Sequence, residues 1–448
     1  MLRQGKITAL ELAEEYIRRI ERLNPALNAL VDFDADRVRD QARNPRRGEL
    51  SGLPITIKSS IATAGYLCEI GSVLHRGQIP EKDAVSVARL RQEGAVILGT
   101  TNCPEFLMAY ETNNDLHGRT NNPWALDRTP GGSSGGEAAA IAAGLSAGGL
   151  GSDSGGSVRE PAHFSGICSL KPTSGRVSAE GHMPPCVGPF SSLGAIGPMA
   201  RTIADVELLF RILLKTPGAG SGSAPVPYRQ VSLAEAKQTT IGWFEDDGIQ
   251  PVTAETAAAV RDAAQALERQ GFRVRRFRPT SLEPARKLWY TFFVQCGAMF
   301  YAPTIEGRRD DLSPTFRNFL DLANAEPPLT PESLLQAWAE SDLVRAKLLA
   351  EMEECPVLLC PVASIPAFHH GEREWSVGGQ QVRYMDAMRY TQWFNLLGSP
   401  AAVVPVGRSE TGLPIGVQIA GRPFADELVL AVARALEADF GYKMPPIH

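Results

Sequence analysis

Two glycine-rich stretches decide how this 448-residue sequence is interpreted: Gly131-Gly132-Ser133-Ser134-Gly135-Gly136 and Gly151-Ser152-Asp153-Ser154-Gly155-Gly156-Ser157-Val158-Arg159. In the segment 131–157, which contains most of both stretches, 10 of 27 residues are glycine, against 42 in the whole chain. The alanine-rich run that follows the first stretch predicts a helix. Glycines before a helix N-terminus let backbone N–H groups approach an anion or a developing negative charge. We therefore look for the chemistry of the protein in this segment.

The first stretch by itself allows three interpretations. A phosphate-binding loop does not fit, because the Gly-Lys-Ser/Thr ending of that motif is absent. A nucleophile elbow fits formally, since both Gly131-x-Ser133-x-Gly135 and Gly132-x-Ser134-x-Gly136 match G-x-S-x-G. A turn without any function fits as well. The stretch alone does not decide between the last two.

The second stretch has the composition of an oxyanion-binding loop. Ser157 follows Gly155 and Gly156, whose N–H groups can approach a substrate oxygen without obstruction by a Cβ atom. Asp153 and Arg159 flank the loop with opposite charges. We expect them to form a salt bridge that braces it.

A serine nucleophile needs a base, and the sequence offers histidine or lysine. Lys58 follows Gly52–Ile57, a short β-branched run that predicts a strand, and burial there would lower its pKa toward neutrality. A solvated surface lysine is the simpler interpretation of the same position. None of the histidines downstream of Ser157 lies in a setting that suggests a carboxylate-oriented base. They are His163, His182, His369, His370 and His448.

Composition excludes several classes of protein. The chain is 44% hydrophobic and 21% charged, as in a folded globular protein, and its net charge of −5 argues against nucleic-acid binding. The longest nearly uncharged run, 138–151, is too short and too glycine-rich for a membrane helix, and no apolar segment of a secretory signal follows Lys6. The seven cysteines are scattered without a C-x-x-C pair, which predicts reduced thiols, a cytoplasmic protein and no metal site.

Alternating helix and strand patterns predict an α/β architecture in a single domain, 1–448. Thr8 and Glu11 form a capping-box pattern that begins a helix near the N-terminus. Gly218–Pro225 is predicted to be a flexible connection, and the region 281–349 a helical insertion over one end of the sheet. Further elements are predicted as helices at 83–93 and 253–270 and as strands at 95–98, 239–243, 272–277, 357–359, 402–406 and 415–419.

Taken in order, Gly52–Lys58 and the two glycine-rich stretches resemble the amidase signature family. The resemblance extends over nearly the whole chain. It implies a three-layer α/β/α fold with a large central mixed β-sheet flanked by helices. Further segments that fit the family are 100–106, 122–124, 171–176, 197–201 and 412–418.

The resemblance implies a Ser-cisSer-Lys triad. In it Ser157 is the nucleophile, Ser133 is a bridging serine held by a cis peptide, and Lys58 is the base. Such an enzyme hydrolyses a small-molecule amide to an acid and ammonia or an amine through an acyl-enzyme, with no cofactor. The implied oxyanion hole consists of the N–H groups of Ser154, Gly155, Gly156 and Ser157, and the implied supporting residues are Gly131, Gly132, Ser134, Asp153 and Arg159.

Some positions depart from the family pattern. Ser59 stands where aspartate is commonest, Ser154 replaces threonine, and Gly194 stands where aspartate is frequent. Ser165 and Ser169 occupy positions where bacterial members often have cysteine and glycine. None of these departures removes a residue of the triad.

Three rival functions remain at this point. One is the glutaminase subunit of a tRNA-dependent amidotransferase, against which the region after Ala302 lacks an Arg-rich, Leu-Gly segment. The second is an α/β-hydrolase-type esterase with a histidine base, and the third a non-catalytic protein with the same fold. We expect the pocket residues in 107–111, 181–187 and 289–301, and a homodimer is the default oligomer.

Overall fold

The structure, a computed structural model, describes residues 2–215 and 223–447. The described residues form a large sheet of 11 strands and a separate two-stranded hairpin. In chain order the strands are β1 (Leu30–Phe33), β2 (Pro54–Lys58), β3 (Val96–Thr101), β4 (Gly148–Asp153), β5 (Cys168–Lys171), β6 (Ala195–Ala200), β7 (Thr240–Trp243), β8 (Arg273–Arg276), β9 (Val357–Pro361), β10 (Glu374–Val377), β11 (Gln380–Arg383), β12 (Ala401–Arg408) and β13 (Pro414–Gly421).

The large sheet is mixed. Its strands follow the order β1, β3, β2, β4, β6, β5, β12, β13, β9, β7, β8. β2 runs parallel to both β3 and β4, and β7 runs parallel to both β8 and β9. The other neighbouring pairs are antiparallel. The predicted mixed sheet is therefore confirmed.

Helices connect the strands and cover the sheet. They are α1 (Ala9–Leu27), α2 (Ala35–Arg43), α3 (Val85–Gln92), α4 (Gly135–Ala142), α5 (Arg159–Ser165), α6 (Pro189–Leu193), α7 (Ile203–Leu213), α8 (Leu233–Ala236), α9 (Ala254–Arg269), α10 (Leu282–Tyr290), α11 (Cys296–Ile305), α12 (Pro314–Asn324), α13 (Pro331–Glu351), α14 (Tyr384–Ala387), α15 (Arg389–Leu396) and α16 (Asp426–Phe440).

Strand β3 shows how the two faces of the sheet are covered. Its side chains alternate between the faces, as in any strand. Ile97 packs in a core with apolar residues of α3, α7, α9 and α16, whereas Val96 and Leu98 pack with residues of α1, α2 and α4. A sheet buried on both faces between two sets of helices is the predicted three-layer α/β/α fold.

Most of the elements that the sequence predicts are present. The Thr8–Glu11 capping box begins α1, and the predicted strand ends at Lys58 as β2 does. The helix predicted at 253–270 is α9. The predicted connection Gly218–Pro225 lies mostly outside the described residues, which include only its last three positions.

The second glycine-rich stretch begins inside a strand. Gly148, Gly149 and Gly151 belong to β4, which is fully buried between β2 and β6. A Cβ on Gly149 would lie 2.1 Å from Glu137 Oε1, and one on Gly151 would lie 2.6 Å from Ser134 Oγ. These glycines therefore let α4, with its preceding loop, pack closely against the middle of the sheet.

The region predicted as helical and aromatic contains α10 to α13. A π-helical turn, Thr291–Gln295, joins α10 to α11. Trp289 and Phe292 pack in one core with Leu358 of β9 and Trp393 of α15, so this region packs against β9 and α15. Among the described residues, no helix is long and apolar enough to cross a membrane.

Candidate active site

Three side chains meet at the end of β2, the third strand in the order of the large sheet. Lys58 is the last residue of β2, and its side chain is completely buried. Its Nζ lies 2.6 Å from Ser133 Oγ and 3.1 Å from Ser152 Oγ. Lys58 is therefore part of a buried hydrogen-bonded group and not a surface charge. Sequence reasoning missed Ser152, although it lies in the quoted motif.

Burial changes the protonation of Lys58. Desolvation lowers its pKa to about 8, although Cys103, Asp153 and Glu137 act in the opposite direction. A lysine with this pKa is partly neutral near pH 7 and can accept a proton. Ser59, the residue after Lys58, is uncharged and cannot form an ion pair with the lysine. The Oγ atom of Ser59 lies 3.3 Å from Cys103 Sγ.

Glu137 is a second buried titratable group near Lys58. Its carboxylate accepts hydrogen bonds from Thr56 Oγ1 at 2.5 Å and from Thr101 Oγ1 at 2.9 Å. Burial raises its pKa to about 8, against the effect of these bonds and of the charge on Lys58. Glu137 is therefore mostly protonated at neutral pH. No motif in the sequence marks Glu137 as part of the site.

Ser133 lies on a tightly packed loop before α4. The peptide bond between Gly132 and Ser133 is cis, the conformation that the family resemblance implies. Gly132 N–H donates to Glu160 Oε2 at 2.9 Å, and Thr112 Oγ1 donates to Gly131 O at 2.8 Å. A Cβ on Gly132 would lie 2.5 Å from the backbone of Glu111. Backbone packing therefore holds Ser133 in place.

Ser134 takes a different position from Ser133. It directly precedes α4, but its side chain makes no capping bond to that helix. Its Oγ instead lies 3.3 Å from both the N and O atoms of Ser152. Ser134 thus joins the two glycine-rich stretches and does not line the cavity described below.

Asp153 and Arg159 form the predicted salt bridge, and it is completely buried. Arg159 Nη2 lies 3.0 Å from Asp153 Oδ1. Burial acts to raise the pKa of Asp153, but the charge and hydrogen bonds of Arg159 outweigh it and hold this pKa well below its usual range. Asn395 Oδ1 and Gln418 Oε1 also accept hydrogen bonds from Arg159. The pair fixes both ends of the loop that carries Ser157.

The four loop amides of the implied oxyanion hole differ in their hydrogen bonding. Gly156 N–H donates to Asp153 Oδ1 at 2.8 Å, so it is engaged within the loop and is not a free donor. No hydrogen bond within the described part of the chain uses the N–H groups of Ser154, Gly155 or Ser157. These three amides are the donors that can bind an oxyanion.

Side chains outside the motifs hold the carbonyl groups of the same loop. Trp289 Nε1 donates to Ser154 O at 2.8 Å, while Tyr110 Oη and Thr391 Oγ1 donate to Gly155 O at 2.9 and 2.6 Å. With its carbonyl groups turned toward these donors, the loop cannot rotate freely. Trp289 and Tyr110 lie in predicted pocket stretches, but Thr391 carries no sequence signal.

A cavity opens in front of Ser133 and Ser157. All three predicted pocket stretches contribute to it, although Glu111 and most aromatic residues of 289–301 do not. No aspartate, glutamate, lysine or arginine is among its lining residues in the described part of the chain. The lining residues of the cavity are Phe106, Leu107, Met108, Ser133, Ser152, Ser154, Ser157, His182, Pro184, Pro185, Cys186, Phe190 and Phe293. A larger groove between α1 and α7 contains neither Ser133 nor Ser157.

His182 is the histidine in the cavity wall, and it lacks the partner that an esterase triad requires. Its Nδ1 lies 2.8 Å from the backbone oxygen of Pro184 and not near a carboxylate. In a Ser-His-Asp triad, a carboxylate orients the histidine. No group of three His, Cys, Asp or Glu side chains that could hold a metal ion occurs within residues 2–215 and 223–447.

Comparisons with known proteins identify the family of this chain. The family model for Amidase matches residues 11–430. The chain is 34% identical to a Glutamyl-tRNA(Gln) amidotransferase subunit of Roseiflexus castenholzii, covering 100% of this chain and 96% of that protein. It is 32% identical to Indoleacetamide hydrolase of Bradyrhizobium diazoefficiens, covering 97% and 84%. A crystal structure of an amidase superimposes with a TM-score of 0.86 at 29% identity, covering 98% of both chains.

Proposed function

The chain belongs to the Amidase family, and on that premise we propose that it hydrolyses carboxylic acid amides through an acyl-enzyme on Ser157. In this proposal Ser157 is the nucleophile, Ser133 the proton relay and Lys58 the base. The contact between Lys58 Nζ and Ser133 Oγ supports the relay, and the location of both serines at one cavity supports the pairing of their roles.

The reaction proceeds in two halves. Ser157 Oγ attacks the amide carbon while its proton passes through Ser133 to neutral Lys58. The N–H groups of Ser154, Gly155 and Ser157 stabilise the oxyanion. Lys58 returns the proton through Ser133 to the nitrogen, the C–N bond breaks, and ammonia or an amine leaves. Water then attacks the Ser157 ester by the same relay and releases the carboxylic acid.

The uncharged cavity favours a neutral, apolar acyl group. Phe106, Met108, Phe190 and Phe293 form its apolar wall, and the polar lining consists of serine hydroxyls, one histidine and one thiol. Burying an ionised ammonium or carboxylate of a substrate there would leave it without an opposite charge, which is costly. Aryl and alkyl amides fit this lining.

The similarity to amidotransferase subunits gives a second candidate function, glutamine hydrolysis with transfer of ammonia to a partner. Glutamine carries both an α-ammonium and an α-carboxylate group. The lining described above has no charged side chain for either of them, so we place this function second.

Covalent labelling and product analysis test the proposal. A fluorophosphonate should modify Ser157 in the wild type, located by peptide mass spectrometry, and should not modify Ser157→Ala. Ser146→Ala is the matched control, because Ser146 is a buried serine of the same segment that bonds only to Gly148 O. Wild type and this control should release ammonia from phenylacetamide or hexanamide. Ammonia release from L-glutamine alone would favour the second candidate, and absence of both labelling and turnover would contradict the hydrolase.

A further inference from the structure

His182 lies in the cavity wall on the side of Lys58. Its backbone forms an isolated β-bridge with Ile61, and the next N–H, that of Met183, donates to Ser60 O at 2.7 Å. Both contacts are with the chain segment that directly follows Lys58. His182 is therefore fixed relative to the base and is also part of the cavity lining.

The hydrogen bonding of the ring defines its protonation. The backbone oxygen of Pro184, 2.8 Å from Nδ1, is an acceptor, so Nδ1 carries the proton and Nε2 presents a lone pair. Burial lowers the pKa of His182 to about 4, and the charge on Lys58 also acts to lower it, so the ring is neutral at neutral pH. His182 thus offers an acceptor and not a cation to the cavity.

This acceptor has no partner. His182 is only 7% exposed, and its Nε2 makes no hydrogen bond within the described part of the chain. Buried polar atoms without partners are uncommon and cost free energy unless a ligand or water satisfies them. An unpaired acceptor in the wall of a reactive cavity indicates a substrate that brings a donor.

The mechanism indicates which part of the substrate supplies that donor. The leaving nitrogen must lie beside Ser133 to receive its proton, and Ser133 is bonded to Lys58. His182 is bridged to the segment that follows Lys58 and lines the same cavity as Ser133, so we assign the leaving side of the substrate to it. Among the groups that line the cavity, His182 Nε2 is a buried nitrogen acceptor without a partner in the described residues, so it can receive a substrate N–H.

We infer that His182 Nε2 accepts a hydrogen bond from an N–H of the scissile amide nitrogen, an inference that rests on the proposed function. The bond holds one N–H toward His182 and turns the nitrogen lone pair toward Ser133 Oγ as the tetrahedral intermediate forms. The site is thereby selective for amides with at least one N–H over esters of the same acid. His182 is a substrate-binding residue and takes no proton.

Two variants separate this role from a structural one. In the His182→Asn variant, the asparagine side chain can still donate to the Pro184 oxygen. It has no acceptor at the position of Nε2. Gln in His182→Gln extends an amide oxygen toward that position. The probes are phenylacetamide and methyl phenylacetate, which share an acyl group and differ in the leaving group. The rate of Ser157 labelling by a fluorophosphonate is measured in parallel, since that reaction needs no substrate N–H.

The expected result is a selective loss. His182→Asn should lower kcat/KM for phenylacetamide by about 10- to 100-fold, while hydrolysis of methyl phenylacetate and the labelling rate change by less than about threefold. His182→Gln should recover part of the amide activity. Equal losses on amide and ester, or no loss on the amide, would overturn the inference alone. A wild type that reacts with neither substrate and is not labelled would overturn the proposed function and this inference with it.

Discussion

Lys58 Nζ lies 2.6 Å from Ser133 Oγ, and both side chains are buried between the end of β2 and the loop before α4. The charged form of a buried lysine is disfavoured unless it is paired, and no carboxylate within the described residues contacts this one directly. The contact therefore joins a hydroxyl to an amine that can lose its proton near neutral pH. This amine should control both the rate of the reaction and its dependence on pH.

Removal of the amine should abolish turnover. Lys58→Ala should lower kcat for phenylacetamide by at least about three orders of magnitude, because no other titratable side chain in the described residues bonds to Ser133 Oγ. The measurement is steady-state ammonia release, with circular dichroism to verify folding. A folded variant that keeps most of its activity would point to another base, such as the histidine of an esterase.

The pH profile should report the titration of Lys58. The group acts as a base only when neutral, and its pKa is lowered to about 8. The neutral fraction grows with pH, so kcat/KM should rise between about pH 6 and 9 with a midpoint near pH 8, and it should fall as the solution becomes more acidic. A flat profile over this range, measured at constant ionic strength, would contradict the assignment.

The charge of Glu137 should move that midpoint. When ionised, Glu137 raises the pKa of Lys58. Near pH 8 Glu137 is partly ionised, so Glu137→Gln removes part of a negative charge and the midpoint should shift to lower pH by less than about one unit. Glu437→Gln is the matched control, because burial also raises the pKa of Glu437, while that residue bonds to Ile203 and Cys168 and not to the site. An unchanged midpoint in the first variant would show that the two groups are not coupled.

Motif residues were the part of the site that the sequence could predict. Lys58 at a strand end and the two serines of the glycine-rich stretches were identifiable because a strand pattern and a family pattern overlap there. Contacts from distant elements could not be predicted. Thr391 of α15 reaches Gly155 O only through the packing of that helix, and nothing around it in the sequence indicates a functional role.

The glycine-rich strand β4 could not be predicted from the sequence. Several strands with β-branched residues, such as β2, were predicted within two residues of their observed bounds. β4 was not, because glycine has low strand propensity, and only its burial between two neighbouring strands makes it a strand. The engagement of Gly156 N–H by Asp153 was equally hidden, since it depends on the turn that the loop takes after β4.

Gly155 should be essential for the geometry of the oxyanion donors. A Cβ at this position would lie 2.5 Å from Trp289 Cζ2 and 3.2 Å from Tyr110 Oη, and both rings are held by hydrogen bonds to the loop. Gly155→Ala should displace the loop amides and lower kcat/KM by about 100-fold.

A glycine with more space provides the control for that substitution. A Cβ on Gly407 would meet Ala259 at 3.4 Å, an ordinary van der Waals contact, so Gly407→Ala should keep wild-type activity. Thermal unfolding of both variants shows whether a loss of activity is a loss of folding. Full activity in a folded Gly155→Ala variant would argue against this loop as the oxyanion site.

Breaking the buried ion pair of Asp153 and Arg159 should strongly destabilise the fold. Asp153→Asn leaves the Arg159 charge buried without its partner, and breaking such a pair typically costs about 3–5 kcal/mol in the free energy of unfolding. Urea unfolding at pH 7 measures this loss. Asp321→Asn is the matched control, since Asp321 pairs with Arg309 at 2.8 Å on the surface and exposed pairs contribute at most about 1 kcal/mol.

The stability difference between wild type and Asp153→Asn should depend on pH in a direction that follows from the pKa of Asp153. The pKa of Asp153 is depressed in the folded protein, so its contribution is complete above the unfolded value near 3.9 and is lost as the pH falls below it. The stability gap between wild type and Asp153→Asn should therefore be constant from about pH 5 to 7 and shrink below about pH 4. Equal losses in the Asp153 and Asp321 variants at pH 7 would mean that the buried pair is no more stabilising than a surface one. The loop of Ser157 would then be held by its contacts with Trp289, Tyr110 and Thr391 instead.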